Sequence, residues 1–203
     1  AAALKNMTFI ENHLIDSSTV YRSFKNKRSN TEGFLEDYAF LIQAYIALYE
    51  VTFNEEWLRK ANTWCNHTVE NFHDSQDGYF HFSSRTAEQL IAKKKEIFDN
   101  VIPSSNSVMA RNLYRLGILL DHEDWKQLAT SMISKLSSIA ESEPGYMSHW
   151  AILYAEIAKG MAEVVIVGND AEKMRKESLE AEVAAEAEPA PAETPAAEEA
   201  PAA

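Results

Sequence analysis

Apolar residues recur along this chain in two different helical patterns. In the first pattern they lie three or four positions apart, which places them on one face of a helix and leaves the other face in water. Segments 55–73 and 122–140 follow this pattern, and segment 4–14 is a weaker example. Each is predicted to be a helix that covers a core from outside.

The second pattern is apolar nearly all round and occupies segments 34–50, 104–120 and 146–159. A helix without a wet face must be covered on several sides. The two types alternate, and the long connections contain strand-like pieces at 20–24 and, after an Asp77-Gly78 turn, at 79–82. The order predicts an all-α fold, a partial (α/α)6 toroid of about three helical hairpins in two layers, with small β-hairpin insertions.

The last 24 residues differ in composition from the rest of the chain. Segment 180–203 holds seven Glu, eleven Ala and four Pro, with no Lys or Arg. Such a segment buries too little apolar surface to offset its ordering entropy. We therefore predict a toroid domain over residues 1–174 and a disordered acidic tail over 175–203, with an acidic interaction tail as the alternative.

Overall charge and cysteine content exclude several classes of protein. The formal net charge of −12 argues against nucleic-acid or anionic-membrane binding through bulk charge. The single Cys65 excludes an internal disulfide framework and a cysteine-rich zinc site. The chain shows neither an apolar run of about 20 residues nor the residue order of a signal peptide at its start. We expect a cytoplasmic protein without metal or cofactor, and the oligomeric state stays open.

Four segments together resemble a known family. They are GFLEDYAFLIQAYIALYE (33–50), DGYF (77–80), KKKEIFDNVIPSSNS (93–107) and EVVIVG (163–168). In this order they resemble the C-terminal region of the thioredoxin-domain-containing family typified by spermatogenesis-associated protein 20. The resemblance covers about residues 1–174.

The resemblance implies a fold more firmly than a reaction. In that family a thioredoxin-like domain precedes a six-hairpin α/α toroid similar to N-acylglucosamine 2-epimerases and glycoside hydrolases. The resemblance therefore implies a truncated toroid here, without the thioredoxin-like domain and the first half of the ring. Lys93 and Ser105 depart from the Arg and Gly that the family pattern leads us to expect.

Candidate chemistry gathers where the three all-round apolar helices begin. Side chains in the first turns of neighbouring inner helices would line one cavity mouth, where unpaired backbone N–H groups suit sugar hydroxyls. The catalytic candidates there are Glu36, Asp37 and His149. The candidates for substrate binding are Lys95, Asp99, Asn106 and Tyr79.

Each candidate also has a purely structural interpretation. Glu36 and Asp37 can stabilise a helix dipole, and Ser104 can be an N-cap. His149 can be a satisfied core residue. Asn106 has no comparable structural role near an apolar helix start.

Two loop interpretations stay open as well. Lys95 and Asp99 can form a salt bridge within their loop. Tyr79, Phe80 and His81 can form a sugar-stacking platform or can pack inside a hairpin.

Two classes of function fit these residues. As an enzyme, an epimerase-like protein would use His149 as base with Glu36 or Asp37 as its polar partner, and a hydrolase would pair one of these carboxylates with Asp99. A small carbohydrate is the expected ligand, bound or acted on at the inner-helix N-termini. The alternative is a non-catalytic helical scaffold or interaction module.

Overall fold

Helices make up most of the part of the chain that the computed structural model describes. The structure describes residues 1–87, 94–161 and positions 168, 170, 171, 173, 174 and 176–178. The chain divides into two units, Ala1–Met161 and Ala162–Ala203. The elements named below all belong to the first unit.

The helices and strands follow one another in the predicted order. The helices are α1 (Ala2–His13), α2 (Leu35–Thr52), α3 (Glu55–Phe72), α4 (Ser105–Leu119), α5 (Glu123–Ser134), α6 (Ser137–Ser142) and α7 (Ser148–Lys159). The strands are β1 (Ile15–Asp16), β2 (Thr19–Val20), β3 (Phe24–Lys25) and β4 (Lys27–Arg28), and a 3-10 turn spans Pro144–Tyr146.

The helices form the two layers of a partial α/α toroid. In the inner layer, α4 contacts α2 on one side and α7 on the other. In the outer layer, α3 packs on α2 and α5 packs on α4. The all-α class and the partial toroid are therefore confirmed, together with the alternation of inner and outer helices.

Side-chain caps fix where the principal helices begin. Asn54 Oδ1 accepts a hydrogen bond from Glu56 N at 3.0 Å at the start of α3. Ser104 Oγ accepts one from Ser107 N at 3.2 Å at the start of α4, which confirms the N-cap interpretation of Ser104. These bonds satisfy backbone N–H groups that have no partner within the helix.

The core lies between the two layers. Fully buried side chains come from both inner and outer helices, among them Ile42, Tyr45, Phe72, Leu113, Met132 and Trp150. Gly117 lets α4 approach α5 closely, because a Cβ there would lie 2.6 Å from Lys126 Cγ and 3.1 Å from the carbonyl oxygen of His122. The absence of a side chain at this position is thus a packing requirement.

Two predicted helices have different bounds in the structure. The outer segment 122–140 breaks between α5 and α6, where Leu136 leaves helical geometry at φ −103° and ψ 2° and buries its side chain. The inner segment 146–159 begins only at Ser148, because Pro144 starts a separate 3-10 turn that contains Tyr146.

The predicted strand pieces are shorter than expected. β1 pairs with β2, and β3 pairs with β4, both antiparallel. Positive φ at Ser17 (55°) and Asn26 (64°) turns the chain within each pair. The predicted piece 20–24 is not one strand, because β2 ends at Val20 and β3 begins only at Phe24. In segment 79–82 only Phe80 forms a β-bridge, with His73.

Several expectations concern residues outside the described part. The predicted tail 175–203 falls there except for positions 176–178, as does most of the 163–168 motif. The domain boundary at 174 stays a prediction. Among the described residues, the helices lack the length and hydropathy that a bilayer-spanning segment needs.

The inner position of α4 yields a stability prediction. Leu113 is fully buried, so Leu113→Ala is expected to lower the free energy of unfolding by about 2–5 kcal/mol. Ile152 on α7 is 45% exposed, and Ile152→Ala should change the free energy of unfolding by less than about 1 kcal/mol. Urea denaturation measures both values, and equal losses in the two variants would contradict the two-layer arrangement.

Candidate functional site

A polar cavity of about 410 Å³ lies between the start of α2 and segment 94–104. We call it the Glu36 cavity. Its described lining residues are Glu36, Lys94, Lys95, Glu96, Ile97, Phe98, Asn100, Val101, Ile102, Pro103 and Ser104. The cavity therefore combines charged side chains with an apolar stretch of the loop that precedes α4.

Two further cavities lie beside it. One of about 380 Å³ shares Glu36 and Ile102 with the Glu36 cavity and includes Arg22 and Asp37. Another of about 370 Å³ includes Asp99 and Tyr146. The predicted single hollow is thus a row of smaller cavities, because segment 94–104 lies among the helix starts.

Arg22 holds the two carboxylates at the start of α2. Its guanidinium lies 2.6 Å from Glu36 Oε1 and 3.4 Å from Asp37 Oδ2, and it stacks over the Phe34 ring at 4.8 Å. Asp37 Oδ2 also accepts a hydrogen bond from Phe34 N at 2.8 Å, so its capping role is confirmed. Burial raises the pKa of Asp37, although the Phe34 N–H and Arg22 oppose that rise.

Lys95 holds the loop that follows α3 through ion pairs with Asp74 and Asp77, which we call the Lys95 anchor. Its Nζ lies 2.7 Å from Asp74 Oδ2 and 2.7 Å from both carboxylate oxygens of Asp77. The predicted salt bridge between Lys95 and Asp99 is wrong, because the Lys95 ammonium group forms ion pairs with Asp74 and Asp77 instead. Hydrogen bonds from Lys95 and from the backbone lower the pKa of Asp74 to about 2.

Asp99 joins the starts of α4 and α7. Its Oδ1 accepts hydrogen bonds from Ser104 N at 2.8 Å and from Ser107 Oγ at 2.9 Å. Its Oδ2 accepts one from His149 N at 2.7 Å, and its backbone N donates to Tyr146 O at 2.9 Å. Both carboxylate oxygens of Asp99 accept hydrogen bonds in these contacts.

His149 lies buried between α4 and α7 with only 6% of its surface exposed. Its Nδ1 is 3.1 Å from Ser107 Oγ. Burial lowers the pKa of His149, and the nearby Arg111 adds to that effect, while Asp99 and Glu156 oppose it. Burial and Arg111 therefore favour the neutral form of the ring.

Asn106 has a structural role that the sequence did not suggest. Its Oδ1 accepts from Phe80 N at 2.8 Å, and its Nδ2 donates to Phe80 O and to Glu96 O, each at 3.0 Å. The residue is fully buried, so its amide ties two loop segments to the start of α4. A contact between Asn106 and a ligand stays a prediction.

Tyr79 packs inside the loop that follows α3. Its hydroxyl donates to Met132 O at 2.9 Å, and its ring meets Trp150 edge-on at 6.5 Å. The interpretation of Phe80 as part of a sugar-stacking platform is wrong, because its ring is fully buried and offers no face to a ligand. Direct contact between Tyr79 and a ligand stays a prediction.

The predicted site residues therefore separate into three groups. Glu36 and Lys95 line the Glu36 cavity, and Asp37 lines the cavity that adjoins it. Asp99 and His149 come together through hydrogen bonds. Asn106 and Tyr79 lie in the packed interior behind the loops.

Sequence reasoning missed two residues that organise these groups. Arg22 lies in a loop between β2 and β3, and nothing local in the sequence links it to Glu36. Ser107 lies four residues before Arg111, and both side chains contact residues of α7, so this spacing marks the face of α4 that meets α7. No three His, Cys, Asp or Glu side chains in the described part are grouped as a metal site requires.

The fold and cavities define an all-α protein built as part of an α/α toroid, with a polar cavity where its inner helices begin. No family model matches the sequence. It is similar to spermatogenesis-associated protein 20 from Rattus norvegicus, with 30% identity over 149 residues, which are 73% of this chain and 19% of the relative. For the Homo sapiens protein of that name the identity is 30% over 138 residues, 68% of this chain and 18% of the relative.

The chain is thus similar to part of the proteins named spermatogenesis-associated protein 20. The Mus musculus protein is 28% identical over 191 residues, covering 89% of this chain and 24% of the relative. The chain thus spans about a fifth of the length of these relatives.

The Lys95 anchor yields a prediction about pH. The pKa of Asp74 is about 2 in the folded protein against 3.8 ordinarily, so its ion pair stabilises the fold fully above about pH 4 and less as the pH falls towards 2. Lys95→Met should therefore destabilise the protein most near neutral pH, and the difference from wild type should shrink below pH 3.8.

Urea denaturation across this pH range measures the difference. Lys94→Met is the matched control, because Lys94 is 67% exposed, and its described side-chain contacts are an ion pair with Glu96 and the Phe82 ring at 5.3 Å rather than Asp74 or Asp77. A loss of stability in Lys95→Met that is the same at all pH values would contradict the electrostatic account of this anchor.

Proposed function

We propose that this chain binds a small neutral carbohydrate in the Glu36 cavity. The observation that carries the proposal is the Glu36 carboxylate, which is 21% exposed and lines two adjoining cavities. A carboxylate in this position can accept hydrogen bonds from ligand hydroxyl groups. A volume of about 410 Å³ is within the range of small-molecule sites.

The charges around the cavity favour a ligand without charge of its own. Each charged lining residue that the structure describes already has an opposite partner. The pairs are Glu36 with Arg22, Lys94 with Glu96, and Lys95 with Asp74 and Asp77. An ionic ligand would have to displace one of these partners, whereas a sugar hydroxyl can hydrogen-bond to a paired group.

The apolar part of the lining suits the C–H faces of a sugar ring. Phe98 is 51% exposed at the cavity, and Ile97 and Pro103 line it as well. An aromatic ring beside a few polar groups is a common composition for small-molecule sites.

Binding rather than turnover is the proposal, for a reason of geometry. Asp37 is engaged as a helix cap, and His149 is absent from the described lining of the Glu36 cavity. An epimerase or hydrolase step that uses both Glu36 and His149 therefore lacks support in the arrangement of these side chains.

Titration calorimetry with a panel of neutral monosaccharides and one sugar acid tests the proposal. We expect a neutral sugar to bind more tightly than the acid. Glu36→Gln should weaken that binding by about tenfold or more, because a hydrogen bond to a charged group contributes about 1.5–3 kcal/mol.

Glu55→Gln is the matched control, since Glu55 also lies in the first turn of a helix but is exposed on α3. Its affinity should equal that of wild type. Absence of binding across the panel, or equal affinity in Glu36→Gln and wild type, would contradict the proposal.

A scaffold that binds another protein is the second candidate. It is supported by an apolar groove of about 410 Å³ between α5, α6 and α7, lined in part by Ile133, Met147, Trp150 and Tyr154. Tyr154 is 65% exposed beside it. A partner lost in Tyr154→Ser but retained in Glu36→Gln would favour this function over sugar binding.

A further inference from the structure

The hydroxyl group of Ser107 contacts the His149 ring and two oxygen atoms. Ser107 Oγ lies 2.9 Å from Asp99 Oδ1 and 2.9 Å from the carbonyl oxygen of Ser104. Both oxygens are acceptors, and the hydroxyl has one hydrogen to donate. That hydrogen is therefore committed to an oxygen.

The remaining contact of the hydroxyl is with the ring. His149 Nδ1 lies 3.1 Å from Ser107 Oγ. Because the serine hydrogen is used elsewhere, Nδ1 must supply the hydrogen of this contact and Ser107 Oγ must accept it. A neutral ring with its hydrogen on Nδ1 carries a lone pair on Nε2.

Asp99 fixes the same ring in a second way. Its Oδ2 accepts the backbone N–H of His149 at 2.7 Å, while its Oδ1 holds the hydroxyl that contacts the ring. One carboxylate thus sets both the backbone position of His149 and the direction of its hydrogen-bond partner.

We propose that His149 is held as a neutral imidazole with its hydrogen on Nδ1 and a lone pair on Nε2. Ser107 and Asp99 are the positioning residues that select this tautomer. The inference does not rest on carbohydrate binding, because His149, Ser107 and Asp99 are not among the described lining residues of the Glu36 cavity.

The charged groups around His149 are consistent with a neutral ring. Burial lowers the pKa of His149, and Arg111 on α4 lowers it further, whereas Asp99 and Glu156 act in the opposite direction. Arg111 is itself paired with Glu156 on α7 through Nε at 3.0 Å and Nη2 at 2.5 Å. The two partners of this pair therefore act on the His149 pKa in opposite directions.

Nitrogen NMR of the full chain tests the tautomer directly. A long-range proton–nitrogen correlation spectrum distinguishes a protonated ring nitrogen from one with a lone pair, and the signals missing from His149→Gln identify His149. At pH 7.5 we expect Nδ1 to be protonated and Nε2 to be unprotonated. A hydrogen on Nε2 alone, or a doubly protonated ring, would overturn the proposal.

Ser107→Ala tests the positioning role. Without the hydroxyl the ring should lose its single tautomer and populate both neutral forms. Ser105→Ala is the matched control, because Ser105 is equally buried in the same turn and its Oγ contacts Glu96 at 3.4 Å. The control should keep the wild-type pattern.

A wild-type pattern in folded Ser107→Ala would show that Ser107 does not select the tautomer and would overturn its role. Ser107→Cys gives the same test with a side chain of similar shape, because a thiol is a weak acceptor. It should also populate both neutral forms, and a single Nδ1–H form in it would count against the positioning role. The wild-type spectrum decides the tautomer in either case.

Discussion

The buried carboxylate of Asp99 is the interaction on which the functional end of this protein depends. It accepts the backbone N–H groups of Ser104 and His149, which lie at the starts of α4 and α7. Two inner helices and the loop that lines the Glu36 cavity are therefore joined at one group. Removing a buried acceptor leaves its donors unsatisfied, which costs about 1–3 kcal/mol for each of them. The cavity depends on this junction because its wall runs from Lys94 to Ser104.

The helical layers follow from the spacing of apolar residues, and this part of the structure was predictable. A helix that is apolar all round has to lie inside, as α2 does, and a helix with one apolar face has to lie outside, as α3 does. The break at Leu136 was not predictable in this way, because the apolar spacing continues through it and packing decides the geometry. The short strands also escaped prediction, since they depend on left-handed backbone at Ser17 and Asn26.

The candidate site was predictable only where a residue acts near its own helix start. Glu36 was expected at the cavity mouth and lies there, since the first turn of an inner helix fixes its position. Asn106 was expected in the cavity, but its amide binds the backbone of Phe80, which is 26 residues away in the sequence. The ion pair between Arg22 and Glu36 was not predicted either, because these residues are also well separated in the sequence. Contacts between residues so far apart in the sequence depend on how the loops fold, and the local sequence pattern does not predict them.

Hydrogen exchange at two backbone amides tests the central role of Asp99 most directly. In Asp99→Asn the side chain keeps one acceptor oxygen, so it can retain the hydrogen bond from Ser104 N or from His149 N but not both. We predict faster exchange at one or both of these amides than in wild type, with unchanged exchange at Trp64 in the middle of α3. Unchanged exchange at both amides in a folded Asp99→Asn protein would contradict the account.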